Sequence, residues 1–200
     1  AGGSFTGRTL IEPGAASGLP VWQRWVSPRS LAEIAQDINK FSNNVMTRQV
    51  LLAASASADQ AGSPERVRVL VSEWLAKRGL AFPELVIDNG SGLSREERIS
   101  ARNLASLLVH AAAGSHADIF RITLPQVGID GTMRARLQRH PLAGRAWIKT
   151  GSLRDVKSIA GYVDAASGRR YAVVMLINGE KILGAQPAQD AFLRWVYENG

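Results

Sequence analysis

Two periodicities divide this chain near residue 145, and that division constrains its fold more than any single residue does. Up to about residue 140, apolar residues recur at three- and four-residue spacings, the pattern that lines one face of a helix. From residue 145 the pattern becomes that of strands, over 145–150, 157–164 and 169–178. The last two are joined by Ala165-Ala166-Ser167-Gly168, a connection typical of an antiparallel hairpin. A helical pattern returns over 188–197, with Phe192, Trp195 and Val196 apolar. A helical region of about 30–140, then an antiparallel meander and a terminal helix over about 145–198, predicts an α+β fold with helices segregated from, or packed on, one sheet.

Within the helical region the boundaries carry their own chemistry. Ser30-Leu31-Ala32-Glu33 is a capping box, in which a hydroxyl and a carboxylate satisfy orphan amide donors, and Ile34, Ile38 and Phe41 follow it. That helix should stop at Ser42-Asn43-Asn44, whose short polar side chains compete for the backbone, and a second helix should run from 45 to about 58. Ser63-Pro64-Glu65 opens a third, which carries Val67, Leu70, Val71, Trp74 and Leu75 and closes at Gly79. Residues 85–87 read as a short strand, and Asp88-Asn89-Gly90-Ser91-Gly92 as a turn whose glycines supply positive φ, with no chemistry assigned to it. A helix is expected over 100–114, with shorter pieces over 117–122 and 132–138. The first 28 residues are rich in Gly, Pro and Ser and show only a strand-like alternation over 21–26, so the chain reads as one entered in mid-domain.

Composition removes several classes of function. The chain has 200 residues, enough for one globular domain or part of a larger one, and no cysteine, so disulfides, thiolate metal sites and a cysteine nucleophile are excluded. The apolar run 172–177 falls far short of the ~20 residues of a membrane helix and no charged-then-apolar leader is visible, so a soluble chain is expected. Lys and Arg number 24 against 17 Asp and Glu, a net charge of +7, but they are dispersed and aromatic residues do not interleave with them. A solvated basic surface, or attraction to an anionic polymer outside the cell, accounts for that charge better than nucleic acid does. There is no phosphate-binding G-x-x-x-x-G-K-[ST], no dinucleotide fingerprint and no G-x-S-x-G elbow. His110, His116 and His140 form no metal-binding spacing, and no metal or cofactor is expected.

Two triplets remain, Ser42-Asn43-Asn44 and Lys149-Thr150-Gly151. Taken singly, the first reads as a cap and turn and the second as an ordinary strand end. Together they are the second and third elements of the S-x-x-K, S-x-N, K-T-G set of penicillin-binding proteins and serine β-lactamases, in the right order. Further segments join them: Ser27-Pro28, Leu31-Ala32-Glu33-Ile34, Ile38-Asn39-Lys40-Phe41, Asp88 to Arg95, Leu124-Pro125, Gly128 with Asp130-Gly131-Thr132, Ser152-Leu153, and Ala160-Gly161-Tyr162.

Over about residues 27–178 the sequence therefore resembles the C-terminal portion of the D-alanyl-D-alanine carboxypeptidase/endopeptidase family, the class C low-molecular-mass penicillin-binding proteins. The resemblance implies a partial β-lactamase/transpeptidase-like fold across residues 1–200. It also implies a metal-free serine peptidase that cuts D-Ala-D-Ala ends, and also cross-links, in peptidoglycan stem peptides, is acylated by β-lactams, and works in the periplasm or cell envelope. One departure stands out: no serine in the chain has a lysine three residues later. The family's nucleophile and its lysine lie upstream of S-x-N, so the chain is expected to be a fragment, inactive alone. The competing expectation is a non-catalytic peptidoglycan- or envelope-binding protein that keeps the fold and cleft.

The chemistry gives each residue type a task. Cleaving a D-Ala-D-Ala end requires binding a free carboxylate, stabilising an oxyanion and protonating a leaving amine. The Lys149 ammonium makes the cleft positive, and the Thr150 hydroxyl can donate to the same carboxylate. Gly151 lacks a Cβ, so a peptide can approach the strand edge. The resemblance implies that the Ser152 amide forms half of an oxyanion hole. Ser42 would relay a proton to the leaving amine, with the S-x-x-K lysine, Lys149 or the nearby Lys40 as its partner, and Asn44 would present its carboxamide to the substrate peptide group. Strict strand alternation sends Lys149 and Thr150 to opposite faces, so a twist or bulge is expected there.

Overall fold

Three strands consecutive in sequence are also neighbours in space: β1 (Ala146–Leu153), β2 (Val156–Asp164) and β3 (Arg170–Asn178) form an antiparallel meander. The computed structural model describes Ser4 and residues 26–57, 59–180 and 182–200, so of the strand expected over 21–26 only Val26 falls within it, outside any strand. Six helices accompany the sheet among the described residues: α1 (Leu31–Phe41), α2 (Asn44–Ser55), α3 (Pro64–Ala76), α4 (Ala101–Ala112), α5 (Ala117–Thr123) and α6 (Ala185–Asn199). The architecture is α+β, as the change of periodicity predicts.

Strand alternation gives the sheet two apolar faces, and each is covered. Ala146, Ile148, Ile159, Val163 and Val173 face α6, where they pack with Met133, Leu142, Leu193 and Val196. Burying each large side chain in that set contributes about 1.5–3 kcal/mol. On the opposite face Trp147, Tyr162, Ala160, Ala172 and Val174 meet Leu108 of α4 and Leu124. The Tyr162 hydroxyl donates to the Leu108 carbonyl at 2.7 Å, which satisfies a phenol that would otherwise be buried unpaired. The sheet thus lies between α6 and the helical region, in which α1 packs on α5 and α2, and α2 on α3.

The helix starts follow the sequence closely. Ser30 and Glu33 form the reciprocal capping box, Ser63 caps α3 with Pro64 in its first turn, and Ser100 caps α4. Other boundaries differ for local reasons. Helix α2 ends at Ser55, short of 58, where the Ser55 hydroxyl turns back to the Leu52 carbonyl. Residues 85–87 contribute only a single bridge, Val86 with Arg98. In place of a helix over 132–138 there is one 3₁₀ turn, Gly131–Met133, because Gly131 and Leu137 both adopt left-handed backbone (φ +53 and +54). Strand β1 continues past Thr150 to pair Ser152 with Lys157 and Leu153 with Val156, so Lys149-Thr150-Gly151 lies inside the strand and not at its end.

Candidate active site

The junction of α1 and α2 is built from three polar residues with different tasks. Ser42 ends α1 in the left-handed conformation (φ 53, ψ 48). Asn43 caps α2, its Oδ1 accepting the Met46 amide at 3.0 Å, and Asn44 is the first residue of α2. A left-handed C-cap favours Gly or Asn, and Ser there costs about 1 kcal/mol. The hydroxyl retained at that cost is half-buried and accepts a hydrogen bond from Lys149 Nζ at 2.5 Å.

Lys149 reaches Ser42 from the middle of β1. The β1–β2 register runs from Ala146↔Val163 to Leu153↔Val156 without a bulge, so Lys149 and Thr150 do leave on opposite faces, contrary to the distortion expected from sequence. Lys149 still reaches the outer edge of the sheet because β1 is the edge strand of the described meander. Its outer edge is occupied near the start, where Val127 N–H donates to the Ala146 carbonyl (2.9 Å) and Ile148 N–H to the Pro125 carbonyl (2.7 Å). The same parity turns the backbone groups of Thr150 and Ser152 outward beyond that point. Lys149 Nζ folds over this edge and also donates to the Thr150 carbonyl at 2.8 Å. Burial pushes the Lys149 ammonium below the ordinary lysine value, with no compensating carboxylate beside it among the described residues.

Gly151 leaves room for a neighbouring side chain as well as for a peptide. A Cβ there would lie 2.2 Å from Ser158 Oγ on β2, so that hydroxyl would have to turn away. The Ser152 hydroxyl accepts from Lys157 Nζ at 2.5 Å on the exposed side of the strand. Of the residues singled out by sequence, Ser42 and Lys149 are in direct contact, Asn44 lies two residues beyond Ser42 at the start of α2, and Thr150, Gly151 and Ser152 follow Lys149 along β1. Lys40 is not Ser42's partner: it is buried and paired with Asp130.

Three contributors were not legible in the sequence. Asn44 Nδ2 donates to the Ser91 carbonyl at 2.5 Å, so the 88–92 turn, given no chemistry above, holds the Asn44 carboxamide in place. Thr132 Oγ1 lies 2.8 Å from Thr150 Oγ1. Arg95 clasps Asp155 through both carboxylate oxygens (2.7 and 2.6 Å), which ties the segment after that turn to the β1–β2 connection and commits Asp155 to structure. Only the motif segments Asp88 to Arg95 and Asp130-Gly131-Thr132 hinted at these contacts. Beyond Gly151 a cavity of about 770 Å³ opens between α2 and the far end of the sheet, lined by Leu51, Ile87, Arg95, Leu153 and Ser158 among others.

This arrangement can be set against known proteins. The model of the D-Ala-D-Ala carboxypeptidase 3 (S13) family matches residues 2–198. The chain belongs to this family. A curated relative, the D-alanyl-D-alanine carboxypeptidase DacB of Haemophilus influenzae, is 28% identical over 178 residues, covering 88% of this chain and 37% of its own length. The crystal structure of penicillin binding protein 4 from H. influenzae, complexed with a β-lactam, superposes with a TM-score of 0.76 at 26% identity, over 83% of this chain and 41% of that one. The TLA-3 extended-spectrum β-lactamase shares the fold (TM-score 0.62, 13% identity, 85% of this chain and 66% of that one). The fold is therefore that of penicillin-binding proteins and β-lactamases. The chain spans about a third of the length of the curated relatives it matches. No helix among the described residues is long and apolar enough to cross a membrane.

Proposed function

We propose that this S13 chain is the C-terminal part of a transpeptidase-like domain and supplies the carboxylate-binding and proton-transfer side of a serine-type D-Ala-D-Ala carboxypeptidase site. Its substrates are peptidoglycan stem peptides, with cross-link cleavage as a further activity. The observation that carries the reading is the Lys149–Ser42 hydrogen bond, which joins the two motifs across 107 positions of sequence.

The reaction assigns each residue a step. A serine outside these 200 residues, its proton passing to the lysine that accompanies it in S-x-x-K, attacks the carbonyl carbon of the penultimate D-Ala, and the resulting oxyanion is held in part by the Ser152 N–H at the β1 edge. The C–N bond then breaks, and the departing D-Ala nitrogen takes a proton through Ser42, which Lys149 Nζ serves. An amine whose protonated form is destabilised by burial gives up its proton more readily, which suits that relay. Thr150 donates to the terminal carboxylate, and Asn44 presents its carboxamide to the preceding peptide group. Water hydrolyses the ester in a second step, and β-lactams stop the cycle by acylating the same serine. The chain alone should then bind but not turn over. A stem-peptide substrate supports a periplasmic or cell-envelope location.

The test is an NMR titration of this chain with diacetyl-L-Lys-D-Ala-D-Ala. Shifts at Ser42, Asn44 and Lys149 to Ser152 are expected, and shifts elsewhere, or none at millimolar peptide, contradict the assignment. The lack of any S-x-x-K in the chain favours a second reading, a non-catalytic envelope-binding protein with the same cleft. Penicillin labelling of a longer protein that contains this chain excludes that reading.

A further inference from the structure

The 3₁₀ turn Gly131–Met133 sits beside Thr150 and is held at three points. Asp130, just before it, pairs with the buried Lys40 and accepts the Gln126 N–H at 2.8 Å. Gly131 is at φ +53, and a Cβ there would lie 2.7 Å from the Lys40 carbonyl oxygen and 3.1 Å from Pro125 Cβ, so no other residue fits. Met133 is fully buried in the core that contains Ile148 of β1. Between these anchors Thr132 alone is exposed, with its hydroxyl 2.8 Å from that of Thr150. The turn that carries Thr132 is held at both ends, which keeps its hydroxyl within reach of Thr150.

We propose that Thr132 is a positioning residue for the substrate's terminal carboxylate, acting through Thr150; the proposal rests on the function assigned above. Each hydroxyl has one proton to donate. When an anion lies at the β1 edge, Thr150 donates to it, and Thr132 donates to Thr150 Oγ1. This orients the Thr150 proton outward and strengthens it, because hydrogen bonds in a chain polarise one another. A carboxylate gains more from this than a neutral amide does, since bonds to ionised acceptors are the stronger ones. Thr132 therefore contributes to discrimination between a free C-terminus and a blocked one.

The experiment measures the affinity of this chain for diacetyl-L-Lys-D-Ala-D-Ala and for its C-terminal amide, by NMR titration, in wild type, Thr132→Val and Thr132→Ser. Wild type should prefer the acid. Thr132→Val should weaken acid binding about three- to tenfold, the range expected for one hydrogen bond, and weaken amide binding by less. Thr132→Ser should restore the preference. Equal weakening of both peptides, or an acid preference unaltered in Thr132→Val, overturns the role of Thr132 alone. A wild-type chain that binds neither peptide, or both equally, overturns the carboxylate site itself and this inference with it.

Discussion

Ser42 and Lys149 meet side chain to side chain, with Lys149 Nζ donating to Ser42 Oγ at 2.5 Å, although 107 positions separate them. One stands at a helix end and the other inside an edge strand, so only the tertiary fold brings them together. A continuous path connects them: Lys40, two residues before Ser42, pairs with Asp130, and the segment 125–127 is bonded to the start of β1.

The left-handed backbone at Ser42 separates the demands of stability and function. Ser42→Gly removes the conformational cost together with the hydroxyl, whereas Ser42→Ala removes the hydroxyl only. Urea denaturation should find the glycine variant more stable than the alanine variant by about 1 kcal/mol. Equal stabilities would mean that the cap is unstrained.

Burial without a carboxylate partner among the described residues lowers the Lys149 pKa, so its amine should titrate below 10.5, the ordinary lysine value. The sign for stability follows. Between the folded pKa and 10.5 the unfolded chain binds the extra proton, so this group's contribution to stability rises with pH across that window. NMR of lysine side-chain resonances, assigned with Lys149→Met, checks the shift; titration at or above 10.5 contradicts it.

Gly151→Ala places a methyl group against Ser158 Oγ, and overpacking of this kind costs about 1–3 kcal/mol. The Ser158 Cβ is 3.6 Å away, an ordinary contact. Adding Ser158→Ala should therefore recover most of the loss, as a double-mutant cycle in thermal denaturation would record. Strictly additive effects would show that the clash lies elsewhere.

Glu84 is pushed down to about 2 by hydrogen bonds from Ser100 and Asn103 at the start of α4. A depressed carboxylate contributes stability that is fully present above its unfolded value near 4.5 and is lost as pH falls towards 2. Glu84→Gln should flatten the acid limb of the stability profile in that window. An unchanged limb would remove Glu84 from the acid response.

What the sequence made legible depended on range. The Ser30–Glu33 box, the Ser63-Pro64 start and the strand alternation are local, and each appears where its chemistry dictates. The two motif triplets were readable as types, and the fold brings Ser42 and Lys149 together. Thr132, the Ser91 carbonyl and the Lys40–Asp130 pair were not readable as site components, because their roles exist only through contacts between distant segments. The helix expected over 132–138 failed because left-handed residues at 131 and 137 override an otherwise helical pattern. The bulge expected at Lys149 proved unnecessary because a long side chain at a sheet edge can fold over that edge.

The central claim is that these residues hold the binding and proton-transfer side of a serine peptidase site but not its nucleophile. The most direct measurement is the intact mass of this chain after incubation with a fluorescent penicillin, with its NMR spectrum recorded on the same sample. The account predicts an unmodified mass together with shifted resonances at Lys149 to Ser152. A covalent adduct, at Ser42 or any other serine of the chain, would place a nucleophile within it and contradict the account.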